Sequence, residues 1–254
     1  MKPIQRVNIL GVGVSAVNME QALDQIDAWV EARDRQYVCL GTVHGIMTCH
    51  RSEEHRRIFN AAGMVTPDGM PLVWLSRARH PHVSRVYGPD LMLASLARSA
   101  ASGQRHYLYG GGPGVGERLA AQLRERFPGA HLVGSREPPF APIDQLTTAA
   151  EAERINAARP DIVWVGIGSP KQEQWMTRMR SQLQAPVLLG VGAAFDFHSG
   201  TVAQAPAWMQ RSGLEWLFRL GSDPSRLWRR YLIDNPWFLW SIALQRLGVR
   251  RYEV

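Results

Sequence analysis

The chain has 254 residues, 45% hydrophobic and 20% charged, a balance that suits one sizeable α/β domain, alone or with an appendage, and excludes disorder. Its 29 basic and 22 acidic residues give a net charge of +7, unevenly placed: residues 201–254 hold eight arginines, no lysine and four acids, with five of the nine tryptophans. Cys39 and Cys49 have no metal-ligand spacing and fit a reducing compartment, the opening MKPIQRVNIL lacks an apolar signal core, and no stretch reaches the roughly 18 apolar residues of a spanning helix, so a cytoplasmic or peripheral protein is expected.

Short apolar runs alternate with longer helix-like stretches, the rhythm of a Rossmann-like, mostly parallel sheet with flanking helices. The first strand, residues 6–10, runs into Gly11-Val-Gly13-Val-Ser-Ala16, which imitates a dinucleotide fingerprint. In that fingerprint the helix opens at the second glycine, where its amides meet a pyrophosphate. Here the cap falls at Asn18, with Gln21 three residues on as capping-box partner, so an ordinary turn is expected instead. A nicotinamide-dependent oxidoreductase is the function class that would need these glycines.

The next strands are expected at residues 37–41 and 64–66, with helices from Met19, Glu53 and Pro71. The loops leaving their carboxyl ends contain Thr42-Val-His44 and Pro67-Asp68-Gly69. Asp-Gly after proline is ordinarily a turn; a carboxylate in a cleft there is alternatively a general base for an incoming hydroxyl. A helix from Pro89 leads to a strand at 106–110 and the loop Gly110-Gly-Gly-Pro-Gly114-Val-Gly116, where Gly111 and Gly112 let a ligand approach the backbone or simply make a tight turn.

A helix from Gly114, a strand at 131–134, a helix from Asp144 and a strand at 161–167 follow. The loop Gly166-Ile-Gly168-Ser-Pro-Lys-Gln172-Glu then reads two ways. Ser169, Pro170 and Gln172 make a full capping box for a helix from Pro170, and the same helix N-terminus at a strand's carboxyl end is an anion site. The last strand, 187–191, ends in Gly190-Val-Gly-Ala-Ala-Phe-Asp196. From residue 202 the character changes to a basic, Trp-rich appendage (202–254, after a 1–201 core) of two or three amphipathic helices starting near Pro206, Pro224 and Pro236.

The chain has no D-x-D, no H-E-x-x-H and no clustered Cys/His, so no metal site is expected, and no G-x-S-x-G, so no serine hydrolase. A leaving diphosphate would then rely on arginines. Arg219, Arg226, Arg229 and Arg230 are the candidates, the last three sharing a helical face, although Glu215 and Arg219 also suit a plain i,i+4 pair. Arginines among Trp228, Tyr231, Trp237, Phe238 and Trp240 suit an anionic membrane surface better than nucleic acid.

Six segments in order carry a family likeness. Thr66-Pro-Asp-Gly-Met-Pro, Tyr87-Gly-Pro-Asp-Leu-Met, Leu108-Tyr-Gly-Gly-Gly-Pro, Val165-Gly-Ile-Gly-Ser-Pro-Lys-Gln-Glu, Gly190-Val-Gly-Ala-Ala-Phe-Asp-Phe and Gly213-Leu-Glu-Trp-Leu-Phe-Arg-Leu resemble the WecG/TagA/CpsF glycosyltransferases (glycosyltransferase family 26) from about Val7 to Trp240. The resemblance implies a GT-E type fold, a Rossmann-like core with a C-terminal appendage closing over the site at the inner face of the cell membrane. It also implies an inverting, metal-independent transfer from a UDP-sugar, with no cofactor, onto a polyprenyl-diphosphate-linked (undecaprenyl) saccharide in cell-surface or exopolysaccharide synthesis.

By position, Asp68 matches the family's general base, with Thr42 in the neighbouring loop and Arg85 near the acceptor or phosphates. Gln172 and Asp196 match donor-pocket positions, and Arg219, Arg226 and Arg229 the appendage arginines assigned to the diphosphate. Two departures, Gln204 before Ala-Pro in place of arginine and the Thr-Val-His44 loop in place of an Asn-Pro-Glu type, bear on the sugar, which in the family is N-acetylmannosamine, its uronic acid or glucose; a plain hexose is the reading here. A non-catalytic UDP-sugar-binding module is the third function class, and a homo-oligomer is left open.

Overall fold

The computed structural model describes residues 4–254, without the side chain of Arg226. It begins with an antiparallel hairpin, β1 (Arg6–Ile9) and β2 (Val12–Ser15), rather than a strand followed by a turn and helix. Leu10 and Gly11 both take positive φ (51° and 86°), a two-residue turn that reverses the chain tightly, so Gly11 closes the turn and Val12–Ser15 form a second strand. The helix α1 (Met19–Glu31) then starts at the expected Asn18–Gln21 capping box, both halves of which form.

In chain order there follow β3 (Gln36–Gly41), α2 (Val43–Arg51), α3 (Glu53–Ala61), β4 (Met64–Pro67), α4 (Met70–Arg77), α5 (Gly88–Ser102), β5 (Arg105–Gly110), α6 (Val115–Arg126), β6 (His131–Arg136), α7 (Ile143–Leu146), α8 (Ala149–Ala157), β7 (Ile162–Gly166), α9 (Lys171–Met179), β8 (Val187–Gly190) and α10 (Ala194–His198). Helix α2 was not foreseen: Thr42 caps it, accepting the Gly45 N–H at 3.0 Å, and begins it directly where β3 ends. The helix expected from Asp144 is a single turn, α7, followed by α8, which Thr148 caps.

Six strands form one parallel sheet in the order β4-β3-β8-β7-β5-β6, which makes the fold Rossmann-like α/β. Alternate residues of each strand enter different apolar layers, as period-2 side-chain placement requires. Tyr37, Cys39, Val65, Tyr109, Val163, Val165 and Leu188 pack on one face with α2, α3, α9 and the hairpin. Val38, Met64, Leu108, Ile162, Trp164, Val187 and Leu189 pack on the other with α1, α5, α6 and α10. Coverage of both faces explains why the strands read as near-continuous apolar runs.

The segment 202–254 forms four helices, α11 (Ala207–Arg211), α12 (Glu215–Ser222), α13 (Pro224–Leu232) and α14 (Asp234–Arg246), one more than the prolines announced. It is stitched to the core at its far end. Phe238 is 2% exposed within the first apolar layer, the Leu10 N–H donates to Gln245 Oε1 at 3.1 Å, and Asn8 Nδ2 donates to the Tyr252 carbonyl at 2.6 Å. Asp234 at the start of α14 accepts from Arg51 Nη1 at 2.7 Å and faces His44 Nδ1 at 3.1 Å, both from α2. No described helix is long and apolar enough to cross a membrane.

Candidate active site

The sheet itself positions the site. The chain leaves β5 for the edge strand β6, then returns to place β7 on the opposite side of β5, so the loops after β5 and β7 diverge and open a crevice at the strands' carboxyl ends. At its base Gly110 pairs with Gly166. A Cβ on Gly110 would lie 2.5 Å from the Gly166 backbone, and one on Gly166 would lie 2.3 Å from the Phe195 ring, so these two glycines serve close packing. Gly168, at φ +83°, is different: nothing lies within 4 Å of where its Cβ would be.

The crevice deepens into a cavity of about 850 Å³, within the usual range for a small-molecule site. Of the residues singled out in the sequence, Thr42, His44, Asp68, Gly111, Gly112, Gly168, Gln172, Asp196 and Arg219 all line it. They come from the ends of five parallel strands and from α12, so the fold gathers segments up to about 180 residues apart.

Asp68 occupies the two-residue link between β4 and α4, where its N–H and that of Gly69 donate to the Gly41 carbonyl at 3.1 and 3.0 Å. Pro-Asp-Gly thus makes a tight strand-to-helix link and also sets Asp68 in the cavity wall. The side chain is only 6% exposed, and burial pushes its pKa up from 3.8 to about 6 against the opposing pull of Arg85. Arg85 stands behind Asp68 rather than in the cavity wall, its Nε donating to the Asp68 carbonyl at 2.6 Å and its Nη2 reaching Oδ1 at 3.4 Å.

That Nη2 has a closer partner, Glu215 Oε2 at 2.6 Å, and the other Glu215 oxygen accepts from the Tyr87 hydroxyl at 3.0 Å. Glu215 thus pairs across 130 residues with Arg85, not with Arg219 one turn along its own helix. The Arg219 guanidinium instead lies over the Phe197 ring at 5.8 Å while lining the cavity. Burial and the Glu215 carboxylate push the Tyr87 phenol well above its ordinary range, so it remains a donor.

On α13 the wall residues are Leu227 and Arg230. Arg229 is exposed, its guanidinium 5.2 Å from the Trp228 ring, and does not line the cavity; the side chain of Arg226 lies outside the described residues. A helix turning about 100° per residue puts position 230 beside the buried Leu227 and Tyr231, and position 229 on the far side, so Arg230 takes the place expected of Arg229. His44, also in the wall, is held below its ordinary pKa by burial and by nearby Arg230.

The capping box expected at Ser169–Gln172 does not form. Helix α9 starts at Lys171 without a side-chain cap, because Gln172 turns inward at 3% exposure and its Nε2 donates to Glu173 Oε1 at 3.0 Å. Glu173, 1% exposed and raised in pKa by that burial, leaves Oε2 without a hydrogen bond, as Gln172 does Oε1; both residues line the cavity. The glycine loop after β5 is also partly committed, since the Glu137 carboxylate accepts the N–H groups of Gly114 and Gly116 at 2.9 and 2.7 Å. Sequence reasoning passed over Glu137 and Glu173, and read Glu215 only as a helix partner of Arg219. Among the described residues no three His, Cys, Asp or Glu side chains converge as metal ligands.

The family model described as "Glycosyl transferase WecG/TagA/CpsF family" matches residues 7–252. Among solved structures, a cysteine mutant of arylmalonate decarboxylase in a sulfate-ion-associated form matches 74% of this chain and 77% of its own at 15% identity, with a TM-score of 0.29, too low to carry any argument.

Proposed function

We propose, from the premise that this chain belongs to the WecG/TagA/CpsF glycosyltransferase family, that it moves a hexose from a UDP-sugar onto a polyprenyl-diphosphate-linked saccharide with inversion and without a metal ion. Such an enzyme takes a sugar donor and an acceptor, and one observation chiefly supports the chemistry assigned here. A buried carboxylate with a pKa near 6 faces a cavity walled by guanidinium groups.

In the proposed step the acceptor hydroxyl oxygen attacks the anomeric carbon from the face opposite the diphosphate. As that bond forms, the bond from carbon to phosphate oxygen breaks, UDP leaves with the electron pair, and the hydroxyl proton passes to Asp68. Burial makes Asp68 a stronger base than an ordinary carboxylate while leaving it mostly ionised at neutral pH. Arg85 holds the Asp68 backbone and reaches one carboxylate oxygen. Arg219 and Arg230 offset the charge that grows on the leaving diphosphate.

Association with an anionic membrane surface is part of the same proposal. Trp228, Leu232, Trp237, Leu239 and Trp240 are all exposed on α13 and α14, on helices that also carry Arg229. Exposed aromatic and aliphatic side chains interleaved with arginines are the composition of an interfacial anchor. The hairpin turn at Gly11 leaves no strand-to-helix junction there for a nicotinamide dinucleotide.

The test is turnover with a panel of UDP-sugars and a synthetic lipid-diphosphate acceptor, wild type against Asp68→Asn. UDP release that depends on acceptor, and that Asp68→Asn abolishes while donor binding persists, is the expected result. Undiminished turnover by Asp68→Asn removes the base from the scheme; donor binding without turnover by the wild type leaves a binding module.

A further inference from the structure

The cavity rim on the β6 side is built from one short segment, residues 137–140, that the step proposed above does not use. Glu137 follows β6 directly and lays its carboxylate over the start of α6, Oε2 accepting from Gly114 N–H at 2.9 Å and Oε1 from Gly116 and Glu117 N–H at 2.7 and 3.3 Å. In a Rossmann-like fold this is the first-turn position that takes a ligand's pyrophosphate. Here the protein's own carboxylate fills it, so a diphosphate has its better partners elsewhere, at Arg219 and Arg230.

The same carboxylate has a second place in that scheme. The strand beside the glycine-loop strand ends, in such folds, in the acidic residue that accepts a ribose 2′-hydroxyl. β6 lies beside β5, and Glu137 follows its last residue. Two carboxylate oxygens offer about four acceptor positions, and backbone amides take three of them, two on Oε1 and one on Oε2. Glu137 also lines the cavity, and the acceptor position left over is on Oε2.

Three residues further on, Phe140 is 103% exposed yet borders the cavity, the most exposed large apolar side chain of those described. Its loop is not loose. Lys171 Nζ donates to the Ala141 carbonyl at 2.9 Å and stands 4.6 Å from the Phe140 ring, fastening the segment to α9 beside Gln172. An aromatic ring held at a cavity rim is a stacking platform, and a nucleobase is a planar partner of that size.

We infer that Glu137 and Phe140 form a nucleoside clasp, Glu137 Oε2 accepting the ribose 2′-hydroxyl and Phe140 stacking on the base, so that the diphosphate points to the arginines and the sugar to Asp68. The inference rests on the nucleotide-sugar donor proposed above. It fixes the polarity of that donor in the cavity and makes the site selective for ribonucleotides.

Calorimetric titration of the full chain with UDP and with 2′-deoxy-UDP tests it. A charge-assisted hydrogen bond should make wild type bind UDP on the order of 10- to 100-fold more tightly than the deoxy analogue. Glu137→Gln should remove that preference, weakening UDP by a similar factor and the deoxy analogue by less than about threefold. Phe140→Ala should weaken both nucleotides alike, by roughly 5-fold or more, with the preference intact. Equal binding of the two nucleotides by wild type overturns the clasp, as does a Glu137→Gln variant that weakens both equally, the mark of a merely loosened α6. If wild type binds neither nucleotide, the donor reading falls first and the clasp with it.

Discussion

Replacing Glu215 with glutamine should shift the acid limb of the pH–rate profile without moving any group that touches substrate. Asp68 sits at a pKa of about 6 rather than 3.8 chiefly through burial, with the Glu215 carboxylate adding to the rise and Arg85 and Arg219 opposing it. Tyr87, also close by, stays a neutral donor across the working range. Glu215 acts twice. It repels a second negative charge, and it holds Arg85 Nη2 at 2.6 Å, leaving Asp68 the longer 3.4 Å contact. Glu215→Gln keeps the shape but removes the charge, so both effects now favour ionised Asp68. The limb should fall from about pH 6 towards the ordinary carboxylate value, by on the order of one unit, and kcat at neutral pH should drop several-fold because the base is weaker. The pH dependence of kcat/KM from pH 4.5 to 8.5 reads the limb of the unliganded enzyme, the state in which Asp68 sits near 6. A limb that stays near 6 while kcat falls would make Glu215 a purely structural clip, and a limb that rises would refute the electrostatic account.

Asp68→Asn should be more stable than wild type at pH 8 and no more stable below pH 3.8. The folded-state pKa lies above the unfolded one, so the favourable contribution of Asp68 is full below 3.8 and lost as pH rises through about 6; urea unfolding at the two pH values should show a gap on the order of 3 kcal/mol at pH 8 only. Arg230→Ala should cost about 10²- to 10³-fold in kcat, the scale of losing one donor to a developing anion, whereas Arg229→Ala should stay within a few-fold; steady-state assays on the pair decide between the two faces of α13. Trp237→Ala with Trp240→Ala should reduce cosedimentation with vesicles containing anionic lipid, while circular dichroism stays unchanged because both side chains are more than half exposed. Truncation before α14 is a poorer test of membrane binding, since it strips Phe238 from the core and Asp234 from Arg51.

The sheet was legible because its signals are local. Short apolar runs, the Asn18–Gln21 cap and prolines at helix starts each act within a few residues, and each element they announce is present within one or two positions of the expectation. The hairpin at the start was not, because Leu10 at φ 51° gives no warning of a left-handed turn and Gly11-Val-Gly13 suits a loop as well as a strand. Nor was α2, whose nine residues, Val43 to Arg51, carry no strong helix former apart from Met47 and Arg51, and whose stability comes from packing against α3 and α14.

The site divides along the same line. Asp68 and Gly168 lie within two residues of a strand end and Gln172 in the first turn of the helix that follows, so placing the strand places the residue. The groups that tune them arrive from far off: Glu215 meets Arg85 across 130 positions, and Asp234 meets His44 across 190. A helical reading of α12 sees only the neighbour one turn away and pairs Glu215 with Arg219, the arrangement worth a few tenths of a kcal/mol on an exposed surface. Burial changes the ranking. With its side chain only 13% exposed, Glu215 gains far more from a 2.6 Å bond to a largely buried guanidinium than an i,i+4 pair gives on an exposed surface, and Arg219 lines the cavity instead. The Arg229–Arg230 exchange has a different origin, because there the signal was present. Leu227 and Tyr231 mark the inward face of α13, and of the described arginines on that helix Arg230, not Arg229, shares the cavity wall with Leu227. One carboxylate from the appendage therefore joins the tail to the loop that holds Asp68, so that docking of α12 and the strength of the proposed base are two consequences of the same contact.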